Sequence, residues 1–154
     1  MSWPSLKPFC IGDEADPYLK RWFIIPRNRF FCIYLHQMLR DDDDRALHDH
    51  PGANLSIILK GGYREHLFCG WPEEGRDLPS VLSRRRRPGQ IIKRSAALPH
   101  RLSLPLGVKS SWSLFFVWRK HREWGFWCGP AARWVPWQEF TTGPRGEFVG
   151  KGCG

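Results

Sequence analysis

The sequence predicts an all-β domain, an antiparallel sandwich or barrel, on three observations. Short runs rich in Val, Ile, Phe, Tyr and Trp recur along the 154 residues, eight or nine in all. Gly and Pro turn signals separate them at regular spacing. The heavy use of Trp (nine), Pro (13) and Gly (15) favours short strands and turns over long helices.

The elements follow in order. Residues 1–17 carry Pro4, Pro8 and Pro17 with no sustained period, and read as an irregular lead-in. Residues 18–26 are aromatic and β-branched enough for a first strand, Arg27-Asn28-Arg29 turns the chain, and 30–39, the longest apolar run, is a second strand. Asp41, Asp42, Asp43 and Asp44 form a polar turn against which Arg45 is held. They are not a calcium site, because consecutive carboxylates diverge and no spaced loop with a closing Glu follows. In an extended 47–50, His48 and His50 point one way and Leu47 and Asp49 the other. Pro51-Gly52 breaks that strand, and 55–59 is a buried strand stopped by Gly61-Gly62. In 63–68, Tyr63, Glu65 and Leu67 share one face and Arg64, His66 and Phe68 the other. Residues 69–83 read as a long surface connection. Arg84, Arg85, Arg86 and Arg87 read as a solvated hairpin tip before Pro88-Gly89. Strand 90–94 follows, then a bend ending in Pro99, then 100–104 with His100, Leu102 and Leu104 on one face and Arg101 and Ser103 outward. Residues 110–118 are a core strand and 123–128 a final one; Trp134-Val135-Pro136-Trp137 packs over an open end, and 143–154 is an irregular tail. The expectation is a single domain over 1–154 with its core at about 18–128.

Composition narrows the function classes. With 42% hydrophobic and 25% charged residues the chain is of ordinary globular type, which excludes general disorder. No stretch approaches the ~20 apolar residues of a membrane helix. The first seven residues lack the layout of a signal peptide, so the expected location is the cytoplasm. The cysteines at 10, 32, 69, 128 and 153 are odd in number, widely spaced and without a C-x-x-C pair, and read as reduced thiols. The net charge of +9 is partly local to the four consecutive arginines. Nucleic-acid binding through that turn, steeply salt-dependent, is the third of three functional readings.

His48-x-His50, Gly61 after the next strand, and Pro88-Gly89 leading to Pro99-His100 together resemble the two signature motifs of the cupin superfamily. The resemblance spans about residues 30 to 118 and implies a double-stranded β-helix of jelly-roll type. The first motif reads H-x-H, three or four residues, Glu, six residues, Gly; Asn54 falls where the glutamate belongs. Asp42 stands in place of a glycine ahead of the first histidine, and Leu104 in place of the Asn that closes the second motif. Arg27-Asn28-Arg29-Phe30, Asp43-Asp44-Arg45-Ala46-Leu47-His48-Asp49-His50-Pro51 and Trp124-Gly125-Phe126 also resemble features of small bacterial and phage cupin-like proteins.

The resemblance implies a metal site of His48, His50 and His100, with Asn54 as a fourth ligand or just outside the ligand set. Three imidazoles with open positions suit one divalent transition metal, Fe(II) or Zn(II) first, with Ni(II), Cu(II) or Mn(II) as further options. Some cupins, the thiol dioxygenases among them, work with three histidines on Fe(II). The first functional reading is therefore a small-molecule metalloenzyme, dioxygenase-like among its possible activities, with Tyr34, Tyr63, Glu65, His66, Arg101 and Glu123 as candidates for orienting substrate. His36 and His121 are read as non-ligands. The second reading is a non-catalytic cupin module binding a small ligand or sugar. A homodimer through sheet edges or the Trp-rich C-terminal segment is the family-level expectation for partners.

Overall fold

The computed structural model describes residues 7–42, 46–70, 80–129 and 133–154. The expected turn at Asp43, Asp44 and Arg45 and most of the connection after Gly70 lie outside the described residues. In chain order the strands are β1 (Phe9–Gly12), β2 (Pro17–Ile25), β3 (Phe31–Met38), β4 (Leu47–His48), β5 (Asn54–Lys60), β6 (Tyr63–Gly70) and β7 (Ser80–Arg86). They continue with β8 (Ile91–Arg94), β9 (His100–Ser103), β10 (Ser111–Trp118), β11 (Gly125–Cys128), β12 (Arg133–Pro136), β13 (Thr141–Thr142) and β14 (Phe148–Val149); a single helical turn, α1 (Trp137–Phe140), precedes β13. All nine expected strands are present, their ends displaced by a residue or two. The additional strands are short or lie at sheet edges, where a weak hydrophobic pattern leaves little to read.

The strands form two six-stranded antiparallel sheets, β1-β2-β3-β10-β5-β8 and β12-β11-β4-β9-β6-β7, with β13-β14 as a separate ribbon. Neighbours in each sheet are mostly distant in sequence, as a jelly roll requires. Both members of the H-x-H pair therefore arrive next to a histidine fifty residues on: His48 of β4 lies directly across from His100 of β9. Gly61 keeps the turn from β5 to β6 tight, because it sits at φ +77° and a Cβ there would collide with the Ser110 carbonyl.

One core cluster packs Leu19, Met38, Ile58, Tyr63 and Ile92 between the sheets. A second joins Ala46, Phe126, Cys128, Val135 and Phe140, and a third holds Cys32, Tyr34 and Val117. Where it faces the cavity, the first sheet reverses the usual alternation of apolar inside and polar outside. There its inward side carries the buried polar residues Asn54, Ser56, Arg94, Ser111 and Ser113, beside the buried apolar Ile58, Ile92 and Val117. Its outward side carries a stacked Trp22–Trp112 pair with centroids 5.5 Å apart, and the exposed Ile24, Leu59, Ile91 and Trp118. The inward side is polar because it lines a cavity.

Three expectations need correction. The arginine run is not a hairpin tip: Arg84, Arg85 and Arg86 belong to edge strand β7, paired along β6, and Arg86 is half-buried against Glu65. The described part of the lead-in, from residue 7, and the tail are not irregular throughout: β1 pairs with β2, β14 pairs with β13, and the Gly12 amide donates to the Glu147 carbonyl at 2.7 Å. Finally, Cys128 and Cys153 form a disulfide, leaving Cys10, Cys32 and Cys69 as thiols. Sequence spacing could not reveal that pair, because the β13-β14 ribbon and the turn after it bring the tail back to β11. No helix among the described residues is long and apolar enough to cross a membrane.

The disulfide closes a loop of 25 residues. Replacing Cys153 by Ser is expected to lower the unfolding free energy by about 3 kcal/mol, the chain-entropy value for a loop of that size. Urea titration of the oxidised protein and the variant measures it, and an unchanged midpoint would show that the bond constrains nothing.

Candidate metal centre

The centre begins with the alternation of one short strand. Asp49, on the side opposite the two histidines, is fully buried and anchors that strand from behind. Its Oδ1 accepts from the Gly125 amide at 2.9 Å, and its Oδ2 accepts from the indoles of Trp127 and Trp134 at 3.1 Å each and pairs with Arg122 at 3.0 Å. Held this way, His48 and His50 project together toward His100. The ring centroids lie 4.9 Å (His48–His100), 5.0 Å (His50–His100) and 5.4 Å (His48–His50) apart. One ring nitrogen from each falls within 4.8 Å of the others, a cluster that can hold a metal ion.

Glu65 sets the chemistry of that cluster. It is 0% exposed, and its Oε1 lies 2.8 Å from His100 Nδ1. A carboxylate there fixes the His100 proton on Nδ1 and leaves Nε2 with a lone pair directed at the cluster. His50 Nε2 stands 2.8 Å from that nitrogen, so in the metal-free site His50 carries its proton on Nε2 and donates to His100. Moving that proton to Nδ1 turns the same two atoms into adjacent ligands. Two nitrogens bound at ~2.1 Å to one ion can be no more than ~4.2 Å apart, and this pair is well inside that limit.

Both rings are neutral at ordinary pH. Burial pushes His50 well below the usual imidazole range, and the nearby His100, His48 and Arg94 act in the same direction. Burial lowers His100 to about 3, only partly opposed by the hydrogen bond to Glu65. Burial alone would raise Glu65, but the His100 bond and the Arg94 charge outweigh it and hold the carboxyl well below its usual range. His48 Nδ1 lies 3.8 Å from Asp42 Oδ2. Asp42 in turn accepts from the Leu102 amide at 3.0 Å, so the residue in place of the motif glycine ties the approach to β4 onto β9.

Arg94 completes the inner layer. It is buried, and its Nε and Nη groups donate to Glu65 Oε1 at 2.5 Å, Ser56 Oγ at 2.9 Å and Tyr63 Oη at 2.9 Å. Asn54 is its cross-strand partner, with Oδ1 3.5 Å from Arg94 Nη1. The buried carboxylate of this site thus sits on β6 and serves His100 and two arginines, while position 54 offers Arg94 a neutral amide. The cavity in front of the histidines holds about 240 Å³ and is walled by Tyr34, Phe115, Trp124 and Phe126 among others.

Of the candidates for orienting substrate, Tyr34 and Tyr63 line the cavity, and Glu65 acts through His100. Three do not reach it. His66 points from the other face of β6 and bonds to Ser83 Oγ at 2.7 Å and Ser103 Oγ at 2.8 Å. Arg101 is its cross-strand neighbour on that outer face, and Ser103, expected outward, is buried beneath His66. Glu123 is a surface residue paired with Lys120 at 3.0 Å. The spacing of these residues alone could not tell the cavity side of β6 and β9 from the side turned toward β7. Sequence reasoning missed Arg94, Arg21 and Asp42. For the first two a signal existed, since each sits at an inward position of an otherwise apolar strand, where an arginine needs a reason.

The pH dependence of stability follows from these groups. Between pH 6.5 and about 3 the unfolded chain binds a proton at His100 that the folded chain refuses. Stability therefore rises with pH across that window and is lost as pH falls through it. His50 contributes in the same sense, and Glu65 adds a further loss below its ordinary value of 4.5. The urea midpoint of the metal-free protein is expected to fall steadily from pH 7 to pH 4, and a flat profile would contradict neutral buried imidazoles. Glu65→Gln leaves Arg94 unpaired in the interior and is expected to cost about 3–5 kcal/mol in the same assay.

No protein-family model matches the sequence, and no curated protein matches it. Solved structures do match. A cupin-2 domain from Rhodospirillum rubrum is 15% identical over 86% of this chain and 81% of that one, with a TM-score of 0.59. Hydroxypropylphosphonic acid epoxidase from S. wedmorenis is 14% identical over 76% of this chain, with a TM-score of 0.54. The Fe(II) form of HppE with the alternative substrate (S)-1-HPP is likewise 14% identical over 76%, with a TM-score of 0.56. The chain spans 58% of the length of each of these last two structures. At such identities the likeness is one of fold: the chain shares the two-sheet antiparallel β architecture of the cupin-2 domain.

Proposed function

We infer that this protein is a metal-dependent enzyme acting on a small molecule, with one divalent transition metal held by His48, His50 and His100. The observation that carries the reading is the pre-set state of the ligands: two neutral imidazoles, His100 buried and His50 half-buried, whose Nε2 atoms are 2.8 Å apart, the first with its proton fixed by Glu65. A purely structural histidine cluster has no need for a buried carboxylate to choose its tautomer. The donor set suits Fe(II) or Zn(II) by ligand type. Fe(II) comes first, because an Fe(II) form of the epoxidase is among the structures that share the fold.

A bound ion would supply Lewis acidity or, as Fe(II), a place to activate dioxygen. The protein's own residues do the rest. Glu65 keeps the His100 proton on Nδ1, away from the reacting face. Phe115 and Phe126, with ring centroids 5.6 Å and 6.0 Å from His50 and His48, exclude water from that face. The cavity admits only a small substrate. Dioxygenase-like chemistry fits a ligand set of three imidazoles with open positions. The neutral amide at Asn54 favours a second reading, a cupin module that binds a ligand without turning it over.

Elemental analysis of protein purified without added metal tests the reading. About one equivalent of transition metal per chain is expected, with at least a tenfold loss of affinity in His50→Ala and His100→Ala and no change in Asn54→Ala. A metal-free protein that His100→Ala leaves unaltered in metal titration would overturn it. Loaded protein inert toward every small acid and thiol offered would favour the binding module.

A further inference from the structure

Beyond the histidines, the same cavity is bordered by two arginines with no carboxylate partner among the described residues. Arg21 lies on the inward side of β2, and its Nε donates to His36 Nε2 at 2.9 Å. The guanidinium also rests over the Tyr34 ring, 4.8 Å from the centroid. His36 accepts because burial, and then the Arg21 charge, keep it neutral. The groups acting most strongly on Arg21 are Tyr34, Tyr18, Arg27 and Cys32, and no carboxylate is among them. Arg27 borders the cavity beside it, also without a carboxylate partner among the described residues. The Tyr34 hydroxyl is buried and hydrogen-bonded to nothing among the described residues, although Arg27 and Cys32 approach it.

The other charges around the cavity are engaged. Arg94 is matched by Glu65 and Lys120 by Glu123. Asp42 accepts from the Leu102 amide and Glu147 from the Arg145 amide. Apart from the Arg21–His36 bond, the two guanidiniums have no carboxylate partner among the described residues, and they border one cavity with the buried Tyr34 hydroxyl. Leaving the half-buried Arg21 without a counter-charge is costly, and a fork-shaped guanidinium matches a planar or tetrahedral oxyanion in two-point fashion.

We propose that the cavity takes a small organic molecule bearing a carboxylate or phosphate group, held by Arg21, Arg27 and Tyr34. The position relative to the histidines gives the arrangement a purpose. The Phe115 ring lies between the two sets, 5.1 Å from His36 and 5.6 Å from His50 by ring centroids. An acid anchored at Arg21 therefore extends its carbon skeleton across Phe115 toward His50. This last step rests on the metalloenzyme reading; the anion site itself does not.

The test is calorimetric titration of metal-free protein, at constant ionic strength, with inorganic phosphate, with acetate and with acetamide as the uncharged control. At least one anion should bind while acetamide does not, and the tighter of the two identifies the head group. Arg21→Met should weaken binding at least tenfold, and Arg21→Lys should recover part of it, since a point charge lacks the fork. Arg27→Ala, at an exposed position that should not perturb folding, should weaken it several-fold. Failure of both anions to bind the unaltered protein, or equal binding by Arg21→Met and Arg27→Ala, would overturn the proposal. A parallel Co(II) titration separates the two readings. Anion binding that depends on Arg21 in a protein that takes no Co(II) leaves this site standing and removes the metal centre; Co(II) binding with no anion binding does the reverse.

Discussion

The carboxylate of Glu65 is the constraint on which the site depends. From β6 it reaches His100 on β9, Arg86 on β7 and Arg94 on β8, which belongs to the opposite sheet. Burying a carboxylate is expensive unless charge and hydrogen bonds return the loss, and here two guanidiniums and an imidazole do so at once. The result is a polar bolt through the middle of the domain. It joins the sheets where a hydrophobic core would otherwise meet, and it decides which nitrogen of His100 is free.

The electrostatics of the two ends of the cavity fit one another. Three imidazoles bring no negative charge, and Glu65 is already balanced by Arg94 and Arg86. A dication at the histidines would stand uncompensated by its ligands, while Arg21 and Arg27 at the far end add charge of the same sign. A guest that carries negative charge would add to the little that Asp42 and Glu147 supply at the cavity wall. Asn54 belongs to the same logic, because opposite Arg94 it supplies an acceptor without a second carboxylate to compete with Glu65.

Much of this was legible before any coordinates. The period-two pattern located every long strand except the edge strand β7, and the resemblance of the H-x-H pair and the later Pro-His to the cupin motifs brought His48, His50 and His100 together. What stayed hidden depends on pairing between distant segments. Glu65 could be placed on one face of β6 with Tyr63 and Leu67, but not against His100, because that contact exists only once β6 lies beside β9. His66, Arg101 and Glu123 looked as eligible as Tyr34 until the sheets showed which faces meet the cavity. The Cys128–Cys153 bond and the partner of Arg86 were hidden for the same reason.

The reversed alternation of the first sheet bears on how the chain finds its register. In most sheets a slip of one residue turns the apolar set out to water, and that penalty locks the pairing. Here the outward side of β5 and β10 carries Leu55, Ile57, Leu59, Trp112, Leu114 and Phe116, whereas the inward side mixes Asn54, Ser56, Ser111 and Ser113 with Ile58, Phe115 and Val117. Hydrophobic contrast between the two sides is therefore weaker than in most sheets and is not all that a slipped strand would lose. It would also lose the hydrogen bonding of Arg94 to Ser56 and its contact with Asn54, and the alignment of Ser113 opposite His36. In this protein the residues around the binding site therefore also serve as the ruler by which the strands are aligned during folding.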